Sequence, residues 1–146
     1  MGLKKYQMKN VSENLYSLSR NEKLKMMADR VDIRDKTILF VVSDQKNQDE
    51  RDAFWAEILA ANKEGIPVVV VSSFASQSHI DHIKEACSNL KIYDDIALIS
   101  FNSGSTGKQK AIQVTNRNVI YSAHDRKKTY GWGEKIIAAA FIDPCF

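Results

Sequence analysis

Only two cysteines occur in the 146 residues, Cys87 and Cys145, far apart and with no metal-ligand spacing near either. That scarcity excludes a disulfide framework and a cysteine-built metal centre. Charge of one sign is equally scarce. The 21 basic residues face 18 acidic ones, a surplus of +3, far from the one-sided density of a polyanion binder. The local run His124–Lys128, "HDRKK", reads as a solvated helix face, so no nucleic-acid partner is expected. Apolar runs such as "IPVVVV" are too short to cross a bilayer, and no membrane span is expected. The opening "MGLKKYQMKN" carries no signal-type apolar stretch, and Tyr6 breaks the N-myristoylation pattern. A cytoplasmic location with reduced thiols is the expectation. Internal repeats and low-complexity tracts are also missing, so the length corresponds to one domain or part of a larger one.

What is present is an alternation of helical and strand patterns. Residues 1–34 read as a helical segment. Within them "SRNE" (Ser19–Glu22) has the form of a capping box, and Leu24, Met27, Ala28 and Val31 share one helical face. "TILFVV" (Thr37–Val42) is a continuous, β-branched apolar run, the pattern of a strand covered on both sides. "DERDAFWAEILAANKEG" leads with acids and closes on Gly65, where a helix end favours left-handed backbone. "IPVVVVSS" is a second strand, with Pro67 at its start. Ser78 is placed to cap a helix carrying Ile80, Ile83, Cys87 and Leu90 on one side. "DDIALISF" is the third strand, "AIQVT" a short fourth, and "NRNVIYSAHDRKK" a helix capped by Thr115 or Asn116. "KIIAAAFID" (Lys135–Asp143) is the expected last strand. The predicted fold is α/β. It has a mostly parallel sheet of about four or five strands, right-handed crossovers and helices on both faces.

Ligands of such sheets sit beyond the carboxyl ends of the strands. "FNSGSTGKQK" (Phe101–Lys110) leaves the third strand at such an end. Gly104 and Gly107 permit close backbone approach, Ser103, Ser105 and Thr106 add hydroxyls, and Lys108 and Lys110 add charge. That composition suits a di- or triphosphate. The Walker loop does not fit, because Asn102 stands where its first glycine belongs and Gln109 where its hydroxyl belongs. Neither G-x-G-x-x-G nor the hydrolase elbow G-x-S-x-G occurs here.

"SGSTGKQK" resembles the signature S-G-[ST]-T-G-x-P-K of the adenylate-forming, acyl-activating enzymes. The surrounding "YDDIALISFNSGSTGKQKAIQVTNRNVIYSA" and the upstream "DAFWAEILAANKEGIPVVVV" are similar to that family's arrangement too. The resemblance runs from about Asp35 to Phe146 and marks residues 35–146 as part of an AMP-binding α/β domain. Phe54–Ala56 and Tyr130–Trp132 lean towards the fatty-acyl-AMP ligase and peptide-synthetase branches.

What the resemblance implies is an ATP- and Mg²⁺-dependent ligase that activates a carboxylic acid as its acyl-adenylate. A thiol acceptor, coenzyme A or a carrier protein, then takes the acyl group. It also assigns phosphate cradling to Ser103, Gly104, Ser105, Thr106 and Gly107, with charge from Lys108 and Lys110. Three positions depart from the family pattern: Asn102 for Thr or Ser, Gln109 for Pro, and Ala111 for Gly. The family's adenine-stacking segment, ribose-binding Asp and catalytic Lys have no counterpart in these residues. The expectation is therefore a partial site that does not turn over alone. The alternative is a non-catalytic remnant or small nucleotide-binding or interaction module. A stand-alone Rossmann-like regulator is a third reading, and it predicts a complete sheet with no exposed apolar edge.

Among the remaining candidates, His79 and His82 read as surface helix residues lacking a third metal ligand. Asp94 and Asp95 read as the start of a strand rather than an acid–base pair. Trp55 and Phe54 read as helix core.

Overall fold

Valine and isoleucine runs flanked by polar turns set out the framework in a computed structural model that describes residues 14–44, 46–102 and 109–132. Strand β1 is Leu39–Ser43, β2 Val68–Ser72, β3 Ile96–Phe101 and β4 Ala111–Thr115. The helices are α1 Leu15–Leu18, α2 Glu22–Ala28, α3 Gln48–Lys63, α4 Gln77–Ser88 and α5 Asn116–Thr129. The expected strand over Lys135–Asp143 lies outside the described residues.

The four strands form one open sheet in the order β1-β2-β3-β4. β1 and β2 run parallel, from Leu39 beside Val68 to Ser43 beside Ser72. β2 joins β3 in parallel through Val68 beside Leu98. β3 and β4 are antiparallel, with Phe101 beside Ala111 and Ser100 beside Ile112. The sheet is therefore mixed. The cause is local: residues 102–110 are fewer than the dozen or so that a parallel return needs, so the chain can only double back.

β2 dictates where the helices go. Val68 and Val70 pack on one face with Phe54, Ile58 and Ala61 of α3, together with Val41 of β1. Val69 and Val71 pack on the other face with Ile83 and Cys87 of α4, and with Ile96 and Ile99. A strand of four valines needs cover on both sides, and it receives one helix on each. Because β1, β2 and β3 follow one another in one direction across the sheet, helices on opposite faces give the two crossovers opposite hands. The expectation of uniformly right-handed crossovers is corrected for one of them. Covering both faces of β2 is the burial gained by that arrangement.

All five described helices start on a capping residue, and two of the three anticipated caps fall at other residues. Asn21, not Ser19, caps α2, its side chain accepting from the Leu24 N–H at 3.1 Å. Ser19 instead ends α1, whose own start is a reciprocal box between Asn14 and Ser17. Ser76, not Ser78, caps α4 through the His79 N–H at 3.3 Å. Thr115 caps α5 in a box with Asn118. Leu24, Met27, Ala28 and Val31 do share a face, packed on Ala56, Leu59 and Ala60 of α3, so the N-terminal helices share their core with the sheet's own helix.

Candidate functional site: the carboxyl end of the sheet and the β3–β4 loop

Two neighbouring strands finish side by side in serine, and the third runs into Asn102 at the same level. Ser43 lies beside Ser72. Val68 lies beside Leu98, so four residues further on Ser72 comes level with Asn102. With strands about 4.8 Å apart, this polar row spans roughly 10 Å. α3 and α4 begin just beyond the same edge, capped by Asn47 and Ser76. Both direct backbone N–H groups and the positive ends of their dipoles to that side. Asp44, at the end of β1, is paired with Lys46 at 3.4 Å, which offsets its charge there.

The loop leaves this edge through a closed neck. The Asn102 N–H donates to the Lys110 carbonyl at 3.2 Å. The Lys110 N–H donates to Asn102 Oδ1 at 2.9 Å. Two bonds between two residues pin the ends of the intervening segment together. The departure at Asn102 thus has a structural use, since its side-chain amide oxygen supplies one of these bonds. The departure at Ala111 is housed as well. It is an ordinary strand position beside Phe101, packed against the α4-side core, and it requires no glycine backbone. Gln109 turns its amide oxygen inward, where it has no hydrogen-bond partner among the described residues.

Of the residues anticipated for phosphate contact, Ser103, Gly104, Ser105, Thr106, Gly107 and Lys108 lie outside the described residues. Lys110 is described and exposed. Its backbone is committed to the neck, and no ion pair holds its side chain among the described residues. Across the edge, the turn after β2 carries Phe74, which is 93% exposed. That turn is fixed by Ser72, whose hydroxyl accepts from the Phe74 N–H at 3.2 Å and whose carbonyl accepts from Ala75 at 3.0 Å. Sequence patterning does not single out Phe74, a lone aromatic between Ser73 and Ala75.

The Asp94–Asp95 pair does not work as two carboxylates on one task. Both precede β3 in a turn, and Asp95 has left-handed backbone with φ of 64°. Its carbonyl accepts from the Asn116 N–H at 2.8 Å, tying the start of α5 to the start of β3. No group of three His, Cys, Asp or Glu residues able to hold a metal occurs among the described residues.

A cavity of about 610 Å³ opens at the opposite, amino-terminal end of β1 and β2, between residues 28–36 and the end of α3. Its charged walls are largely engaged with one another. Asp29 accepts from Lys63 Nζ and from the Tyr16 hydroxyl, each at 2.8 Å, and Asp32 pairs with Arg34 at 2.9 Å. These partners hold both carboxyls below the usual range, chiefly the Lys63 bond for Asp29 and the Arg34 bond for Asp32. The cavity lies far along the strands from the β3–β4 loop, and its pairing is that of a surface ion-pair network.

No protein-family model and no curated protein matches the chain. No helix among the described residues is long and apolar enough to cross a membrane.

Proposed function

We propose that the β3–β4 loop grips the polyphosphate of ATP and that the chain carries the phosphate-binding part of an acyl-adenylate-forming ligase. The observation that carries this reading is the Asn102–Lys110 neck at the carboxyl edge of the parallel strands, level with Ser43 and Ser72. A pinned neck limits the conformations open to a glycine- and hydroxyl-rich segment, which lowers the entropy cost of wrapping an anion. Ser103 to Gly107 cradle the phosphates, and Lys108 and Lys110 supply charge. In the reaction a carboxylate oxygen bonds to the α-phosphorus of MgATP while the bond from that phosphorus to the bridging oxygen breaks. The products are an acyl-adenylate and pyrophosphate, and a thiol of coenzyme A or a carrier protein then accepts the acyl group.

Calorimetry with MgATP on the wild-type chain and Lys110→Ala tests the grip. Loss of one charged contact to phosphate corresponds to roughly 10- to 100-fold weaker binding. Equal binding by both proteins, or none by either, rejects the reading. Pyrophosphate exchange with a panel of carboxylic acids is expected to stay at background, because a phosphate grip alone does not position the second reactant. Robust exchange would instead demonstrate a complete site.

A second reading, a non-catalytic nucleotide-binding or interaction module, is favoured by apolar side chains left open near the same edge: Phe74 at 93% and Ile112 at 49% exposure. Exposed Val42 and Ile112 on the two edge strands argue against a self-contained regulator, which would have covered them.

A further inference from the structure

We propose that α5 and the aromatic pair beyond it form a docking surface for single-stranded nucleic acid. The chain's modest surplus of +3 is not spread over the molecule. α5 holds Arg117, Arg126, Lys127 and Lys128 against Asp125 alone, a surplus of three, so the rest of the sequence is neutral. The sequence-based expectation of a solvated face at His124–Lys128, with no nucleic-acid partner, weighs that run without Arg117 and without the Tyr130–Trp132 pair. Only Asn116 and Ile120 of the helix are buried. None of the four cations is ion-paired among the described residues.

Arg117, Tyr121, His124 and Lys128 follow at spacings of four, three and four, so they form one exposed stripe about 16 Å long. At its far end the Tyr130 and Trp132 rings stack with centroids 5.6 Å apart and planes 24° from parallel. The stack is built in. The Tyr130 N–H donates to the Arg126 carbonyl at 2.9 Å and the Trp132 N–H to the Lys127 carbonyl at 3.0 Å. Gly131, with φ of 62°, makes the bend between the two rings.

Cations along a backbone track, with aromatic faces beside them, are what a flexible strand with stackable bases requires. Compensation of the helix dipole accounts for Arg126 to Lys128 in the last turn. It does not account for Arg117, a cation in the first turn, where the dipole opposes it. An acidic protein would use the charges without the open rings. An anionic membrane would need a continuous apolar stripe, and α5 has none.

The test is fluorescence anisotropy of the full chain with labelled oligo(dT) and oligo(U) of about twelve nucleotides, across a salt series. Binding should weaken with a log–log slope of about −2 to −3, on the order of 0.7 per phosphate contacted. It should quench indole fluorescence in the wild type and fall about tenfold in Trp132→Ala, a variant that keeps every cation. The triple change of Arg126, Lys127 and Lys128 to Ala should flatten the salt slope, with circular dichroism verifying that the helix persists. Comparing the two oligomers separates RNA from DNA preference. No oligonucleotide binding overturns the proposal. So does equal binding of polyglutamate, or binding of phosphatidylserine vesicles in preference to either oligomer.

Discussion

Gly65 ends α3 with φ of 71°, and a Cβ built there would meet nothing within 4 Å. Crowding therefore plays no part in the choice of glycine, and only the backbone conformation demands it. Gly65→Ala is expected to cost about 1–2 kcal/mol, the penalty for an L-residue in left-handed backbone. That corresponds to a midpoint lower by roughly 3–8 °C in thermal unfolding. Gly65→Asn should recover part of the loss, because asparagine tolerates that region. An asparagine variant as unstable as the alanine variant would show that side-chain bulk matters after all. Gly65 was legible in the sequence because few signals at a helix end are so specific. Asp95 was not. Its φ of 64° and its grip on the start of α5 depend on a contact 21 residues away, and neighbouring aspartates give no hint of it. The caps at Asn21 and Ser76 fall between these cases. Serine and asparagine both cap well, so several of them within a few positions leave the choice to packing.

At the scale of elements, local codes were strong where they were redundant. β1, β2 and β3 are runs of β-branched or aliphatic residues bounded by turns, and α3 has an acidic start, an apolar middle and a glycine stop. The orientation of β4 needed no tertiary information either, only the length of the link before it. Helices on both faces were expected from strands apolar throughout, but which helix takes which face, and so the hand of each crossover, was a different matter. It depends on β2 needing cover twice, a property of the sheet as a whole. α5 offers the clearest test of a local code. Thr115 accepts from the Asn118 N–H at 3.0 Å, while Asn118 Oδ1 accepts from the Thr115 N–H at 3.2 Å. With only Asn116 and Ile120 buried, the helix has little tertiary packing to fall back on. Thr115→Ala should cost about 1 kcal/mol. Circular dichroism at 222 nm should show the loss as fraying of this helix at temperatures where the rest remains folded. Thr115→Ser should be nearly neutral. A fully cooperative loss of all helical signal would mean that the cap serves the sheet and not the helix alone.

For the molecule as a whole, two kinds of contact hold two regions, and pH separates them. The sheet and α4 meet through apolar side chains, among them Val69, Val71, Ile83 and Ile99, which carry no titratable group. α1 and α2 also pack on α3 through apolar residues, but their seam is stitched by ions. Lys23 Nζ donates to Asp52 Oδ2, joining α2 to α3, and Gln48 supports the same carboxylate at 2.7 Å. Asp29 receives Lys63 of α3 and Tyr16 of α1. The Lys23 and Lys63 bonds, each the largest cause, hold Asp52 and Asp29 below the usual carboxylate range. A lowered pKa in the folded state means that protonation favours unfolding. The contribution is present above the ordinary aspartate value of about 3.9 and disappears as pH falls through the lowered values. At the other limit the lysines, raised chiefly by the same bonds, lose theirs as pH rises through their raised values, above about 10.4. Asp52 should matter most, because its side chain is only 12% exposed, whereas the Asp29–Lys63 pair is open to solvent and screened by salt. Acid should therefore loosen α1 and α2 from α3 before the sheet opens. Amide exchange followed by NMR between pH 6 and pH 3, as protection factors, should show Asp29 and Val31 losing protection ahead of Val69 and Ile99. In Asp52→Asn the seam should be weak at both ends of that range, leaving most of the pH dependence removed. Simultaneous loss of protection in both regions, or an unaltered pH profile in Asp52→Asn, would mean that the apolar contacts of α2 alone hold the N-terminal helices in place.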